Sequence, residues 1–351
     1  MKKKLSILLI PILILSLVGC GTSNLLPDVQ PTTQPLPSVS APSVTAPSAS
    51  DTQPLQPLPG ETGTITTETS APSVEPVISE PQKGCFYGAD TGTDKTFTGY
   101  EPLPLSNFGN PPMENAQGLS TERIEHGFGV AKDEKPHDIS VANQKFFDEN
   151  GLKAICYDNK TTEKILYLTF DCGYENGYTT KILDTLRDKN VKAAFFCTLP
   201  EMEENTEIMT RIIKEGHILG NHSVTHPDFS GLTHQQMYDE VKGFDDYLRE
   251  HFGYSAMYFR YPMGKHSIDS TTFLNQMGYT CVFWSLAYAD WDLNDQKGAD
   301  YALETVVSRL HPGAVILLHA ISPDNSNALP AIIDAARNMG YEFRPLSDFR
   351  A

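Results

Sequence analysis

An α/β fold is predicted from residue 161 onward, and three observations carry it. Short apolar, β-branched or aromatic runs alternate with amphipathic stretches of helical period from Lys164 on. The helical stretches carry end signals: Thr233 with Gln236 three residues later makes a capping box, and Gly216, Gly278 and Gly340 stand just past helix ends. The polar residues that interrupt the apolar pattern fall almost entirely just after predicted strands. Strict alternation of strand and helix implies a parallel sheet, either closed as a barrel or open and doubly wound.

In order, the apolar runs predict strands at Ile165–Phe170, Lys192–Cys197, Ile218–Asn221, Met257–Tyr261, Thr280–Ser285, Ala314–His319 and Tyr341–Pro345, seven in all. Between them the 3.6-residue period predicts helices at Thr179–Asp188, Asn205–Glu215, Thr233–Phe252, Ser267–Met277, Ala299–Leu310 and Pro330–Met339.

Ahead of this domain (161–351) the chain changes character twice. Basic Met1–Lys4, the apolar run Leu5–Val18 and Leu17-Val18-Gly19-Cys20 read as a signal peptide over 1–20. The run is about 14 residues, short of the roughly 20 that a spanning helix needs. A cysteine after Leu-Val-Gly resembles a bacterial lipobox, which implies that Cys20 is lipidated and that the mature chain is held at the membrane by that lipid, outside the cytoplasm. Residues 21–83 are rich in Pro, Ser, Thr and Gln, with Ala-Pro-Ser repeated, and are expected to be a disordered linker. Residues 84–160 mix aromatics, Gly and Pro without clear periodicity apart from a helix-like stretch at Ile139–Asn150, and are expected to form a mainly irregular leading segment that packs on the barrel.

The formal charge is −17, and a cleaved leader takes away Lys2, Lys3 and Lys4 but no acid, leaving −20. Such a chain does not seek nucleic acid, and affinity for an acidic partner must be local to a cleft. Besides Cys20, five cysteines are spread without CxxC spacing, so at least one is unpaired. A monomer is expected.

Asp171 follows the first predicted strand, His222 and His226 follow the third, Arg260 lies in the fourth, Asp290 lies past the fifth and His319 ends the sixth. In parallel α/β architectures the carboxyl ends of strands share one face, so these six residues converge. His222 and His226, four residues apart beside Asn221 and Pro227, have a loop spacing that suits joint coordination of a divalent metal, though two satisfied surface histidines share that pattern. Asp171 before Cys172 and Gly173 offers a carboxylate at a strand end, which also suits a turn cap.

Five ordered motifs, Thr169–Gly173, His222–His226, Arg260–Gly264, Asp290-Trp291 and Leu317–His319, resemble the polysaccharide deacetylases of the NodB type, carbohydrate esterase family four. Phe170–Gly177, Phe283–Ser285 and Asn294–Gly298 resemble its δ-lactam-forming muramic de-N-acetylase branch in spore-forming bacteria. The resemblance implies a distorted (β/α) barrel of about seven strands and an enzyme that removes N-acetyl groups from a cell-wall glycan, with the MurNAc of peptidoglycan favoured. It implies Asp171 as general base on a metal-bound water, His222 and His226 as metal ligands and His319 as general acid. Asp290 would orient His319, Arg260 would keep Asp171 ionised, and the backbone N–H of Met263 would face the oxyanion. Trp291 and Leu317 would line the slot for the acetyl methyl, although Leu317 fits core packing equally.

Most family members carry a second, metal-ligating Asp where this chain has Cys172. A thiolate there would favour zinc over harder cations, whereas a thiol pointing away would be a small buried residue. Two further readings stay open: a chitooligosaccharide or O-acetyl xylan deacetylase on the same machinery, and a non-catalytic glycan-binding protein on a degenerate barrel.

Overall fold

The computed structural model describes residues 111–349. Cys20, the signal peptide and the linker lie outside these residues, as does the first part of the leading segment.

The elements run β1 (Ile124–Glu125), α1 (Asp138–Glu149), β2 (Ala154–Ile155), β3 (Ile165–Cys172), α2 (Thr179–Asp188), β4 (Ala194–Cys197), α3 (Leu199–Glu204), α4 (Thr206–Lys214) and β5 (Ile218–Asn221). Then follow α5 (His234–Phe252), β6 (Tyr258–Phe259), β7 (Lys265–His266), α6 (Ile268–Gln276), β8 (Thr280–Val282), α7 (Ala299–Val307), β9 (Ala314–His319), α8 (Pro323–Asn338) and β10 (Glu342–Phe343).

The main sheet has eight strands in the order β10-β3-β4-β5-β6-β8-β2, with β9 also on β3. All its ladders are parallel. Every residue of β3 is buried, as expected for a strand covered on both faces. Beyond β8 the chain swings onto β9: Leu286 pairs in parallel with Ile316, and Leu317 N–H donates to Leu286 C=O. The row therefore curls round on itself as a distorted barrel. All seven expected strands are in the sheet, the second, fourth, fifth and seventh shorter than predicted, and β2 joins them from the segment read as mainly irregular. β2 lies beside β8, and the residues after it reach β9, with Tyr157 bridging Ala314 and Asp158 N–H donating to Gly313 C=O. Two-residue strands such as β1 and β2 carry too little periodicity to be read from sequence.

Helix ends follow their local chemistry. Thr233 and Gln236 form the expected capping box on α5. The last helix starts about two turns earlier than predicted, because Ser322 accepts from Asn325 N–H as its cap and Pro323 takes the first turn, leaving Pro330 inside. The helix read as Asn205–Glu215 is α4, preceded by the short α3.

Register places the strand ends at one rim. Asp171 pairs with His319, Cys197 with Asn221 and Asn221 with Phe259, so Asp171, His222, Arg260 and His319 emerge side by side. Among the described residues no helix is long and apolar enough to cross a membrane.

Candidate active site

A cavity of about 600 Å³ opens at this rim, within the usual size of a small-ligand site. Asp171, His222, His226, Met263, Trp291, Leu317 and His319 all line it.

Asp171 is buried, and its Oδ1 accepts from Arg260 Nη1 at 2.8 Å. Burial alone would push its carboxyl up, but the Arg260 guanidinium, helped by His222 and His319, outweighs it and holds the group below its ordinary value. Asp171 Oδ2 stands 3.6 Å from His222 Nε2. Arg260 is itself fully buried: Nε donates to Val282 C=O at 3.0 Å, Nη2 to Phe283 C=O at 3.3 Å, and the guanidinium lies 4.2 Å over the Phe196 ring.

His222 Nδ1 lies 2.8 Å from Arg260 C=O, which can only accept, so that nitrogen carries the proton and Nε2 keeps its lone pair. Burial lowers His222 to about 4 and also lowers His226, so both imidazoles are neutral near pH 7. Their ring centroids are 4.8 Å apart. The loop that carries them is strained: Ser223 (φ 74) and His226 (φ 59) are both in the left-handed region. Asn221 Oδ1 accepts from Ser223 N–H at 2.8 Å, and Ser223 Oγ accepts from His226 N–H at 2.9 Å. Glu240 on α5 accepts from Val224 N–H at 3.0 Å, Thr225 N–H at 2.8 Å and the Thr225 hydroxyl at 2.6 Å.

Two neutral imidazoles with one fixed by a backbone carbonyl, beside an ionised carboxylate, are the donor chemistry of a borderline divalent cation. Among the described residues no group of three His, Cys, Asp or Glu side chains is placed to hold a metal ion together, and the imidazole pair His222 and His226 is what faces the cavity. Cys172 does not line the cavity. Side chains alternate along β3, and with Asp171 turned to the cavity Cys172 faces the other way, buried and bonded to Cys197, its register partner. That contact and burial push its thiol well above its ordinary value. The placement is that of the packed reading: buried and away from the cavity lining. Cys156, Cys172, Cys197 and Cys281 are all free and buried.

Across the cavity, His319 Nδ1 donates to Asp290 Oδ1 at 2.7 Å, and His319 N–H donates to Asp290 Oδ2 at 2.8 Å. Burial opposes charge on His319, but Asp290 and then Asp171 outweigh it and raise the ring above its ordinary value of 6.5. Trp291 is 54% exposed, its ring 5.5 Å from His319, while Leu317 is 4% exposed. Met263 sits in a turn at φ 57, half-exposed at the cavity wall.

Sequence reasoning missed several supports. Asn325 donates through Nδ2 to Asp290 and accepts from Tyr288 OH at 2.5 Å, fixing the aspartate from behind. Its signal was local, three residues past Ser322 at a helix start. Gln296, in the Asn294–Gly298 motif, donates to Asp290 C=O at 3.0 Å. Glu240 left no signal, being an acid on an amphipathic helix. Replacing it with Ala is expected to cost about 1–3 kcal/mol of stability, the scale of lost bonds to a charged group. It should also weaken any divalent-cation binding by the histidine loop about tenfold or more, with zinc as the probe. Chemical denaturation and a chelator-competition titration check both, with Glu240→Gln as the partial loss; unchanged zinc affinity would contradict the clamp.

Comparison with known proteins agrees with this geometry. A profile of the family described as polysaccharide deacetylase matches residues 158–282. The chain is 36% identical over 234 residues to the peptidoglycan-N-acetylmuramic acid deacetylase PdaA of Bacillus subtilis, covering 66% of this chain and 88% of that one. It is 38% identical over 231 residues to an uncharacterised 30.6 kDa protein of Geobacillus stearothermophilus, covering 66% and 86%. The structure of Bacillus subtilis PdaA, a family 4 carbohydrate esterase, superposes with a TM-score of 0.63 at 37% identity, covering 66% of this chain and 98% of that one.

Proposed function

The chain belongs to the polysaccharide deacetylase family, and from that premise we propose that it hydrolyses the N-acetyl amide of MurNAc in peptidoglycan, with a divalent cation, zinc, as cofactor. The observation that carries this reading is one cavity with Asp171, bonded to Arg260, on one side and His319, bonded to Asp290, on the other, the first shifted toward its ionised form and the second toward its protonated form.

In this reading His222 and His226 would hold the ion, which would supply Lewis acidity toward the amide carbonyl and the attacking water. Imidazole nitrogen favours zinc without any thiolate. Asp171 takes a proton from the water as its oxygen adds to the carbonyl carbon. The Met263 backbone N–H faces the oxyanion. His319 gives its Nε2 proton to the amide nitrogen as the C–N bond breaks, so acetate and a free amine leave. Asp290 holds the imidazolium in place, and Arg260 keeps Asp171 ionised. Trp291 and Leu317 receive the acetyl methyl. The amine is then beside the lactyl carboxyl, positioned for δ-lactam closure, and a sporulating cell is the setting we infer. The lipid on Cys20 and the linker would tether the barrel within reach of the wall.

Chelation should abolish acetate release and zinc should restore it. Peptidoglycan fragments should outcompete chitooligosaccharide and O-acetyl xylan; preference for either of those would overturn the muramic assignment.

The pH profile follows from the shifts. Asp171 works only ionised and is lowered, so activity persists to the acid side of ordinary carboxylates until Asp171 takes a proton. His319 works only protonated and is raised, so the alkaline limb of kcat/KM should fall above 6.5. An alkaline midpoint below 6.5 would contradict His319 as the acid.

A further inference from the structure

Phe128 lines the same cavity but comes from outside the profile-matched residues 158–282. Its backbone is clamped on both sides. On the barrel side His126 N–H donates to Gly264 C=O at 3.1 Å, and His126 Nε2 lies 2.7 Å from Trp284 C=O. On the α1 side Ser140 Oγ donates to Phe128 C=O at 2.7 Å, and Asn143 donates to Gly127 C=O. Gly129, at φ 68, lets the His137 ring pack where a Cβ would be, 2.2 Å from Nδ1. So firm an anchorage presents a half-buried phenyl ring edge-to-face with Trp284, centroids 6.4 Å apart.

Besides Tyr174 and Tyr288, the cavity lining carries aromatic rings in two places. Trp291 stands against His319, where the amide nitrogen must be protonated, whereas Phe128 and Trp284 lie toward the Met263 turn, since Trp284 packs against Gly264. The amide occupies only the space between Asp171 and His319. We propose that Phe128 is a substrate-contacting, specificity-determining residue that packs against the apolar C–H face of the sugar adjoining the one deacetylated. The leading segment then makes the enzyme act on glycan of two or more sugars. This rests on the deacetylase reading, in naming the ligand of its cavity.

The test compares Phe128→Leu, which keeps apolar bulk but no ring face, and Phe128→Ala with the unaltered full chain, each checked by thermal unfolding. KM and kcat are measured on an N-acetylated glycan oligomer and on a single N-acetylated sugar, with oligomer affinity measured separately by calorimetry. The expected result for both variants is KM and Kd for the oligomer raised about tenfold, or about 1.4 kcal/mol, with kcat and single-sugar turnover unchanged. Oligomer Kd unchanged in folded Phe128→Leu, or equal losses on both substrates, would overturn the proposal. If no protein releases acetate while Phe128→Leu still weakens oligomer binding, the contact stands and the deacetylase reading falls.

Discussion

Replacement of Asp171 by Asn is expected to lower kcat/KM about 10²–10⁴-fold while the barrel stays folded. The amide oxygen still accepts from Arg260 Nη1, so the 2.8 Å contact and the shape of the cavity floor survive. The basic carboxylate does not, and no other described acid lines the cavity. Stability also falls, because Arg260, fully buried, loses its counter-charge. Acetate release with near-UV circular dichroism checks both effects; activity within tenfold of the parent in a folded Asp171→Asn variant would remove Asp171 as the base.

The second large effect is on stability. Arg260→Met leaves the buried Asp171 carboxylate without its guanidinium partner and removes the side-chain donors to the carbonyls of Val282 and Phe283. Breaking a buried pair from one side costs about 3–5 kcal/mol, far above the worth of an exposed ion pair. The sign of the pH dependence follows from Asp171, whose folded carboxyl is below its unfolded value. Its stabilisation is present above the unfolded pKa and is lost as pH falls through the folded one. The gap between parent and Arg260→Met should therefore be widest near neutrality and narrow in acid. Denaturation series at several pH values check this; a gap that does not change with pH would mean that Arg260 acts through packing alone.

The barrel was legible because its strands are continuous apolar runs closed by polar residues, and that grammar also exposed Asp171, His222, His226, Arg260, Asp290 and His319. Residues that act across the fold were not legible. Glu240 reaches the histidine loop from α5, Tyr288 reaches Asp290 through Asn325, and Phe128 reaches the cavity from a stretch without periodicity. Cys172 shows the opposite limit, since one residue's step along β3 turns a side chain from the cavity to the opposite face. Its neighbour in sequence lines the site, and its own thiol faces Cys197.

The most direct measurement of the central claim is mass spectrometry of peptidoglycan fragments after incubation with the zinc-loaded protein, alongside an acetate assay. The expected result is one new free amine on a muramic sugar for each acetate released, with neither formed by Asp171→Asn. Acetate without a new amine would make the chain an esterase, and a folded, zinc-loaded protein that forms neither product would contradict its assignment as a deacetylase.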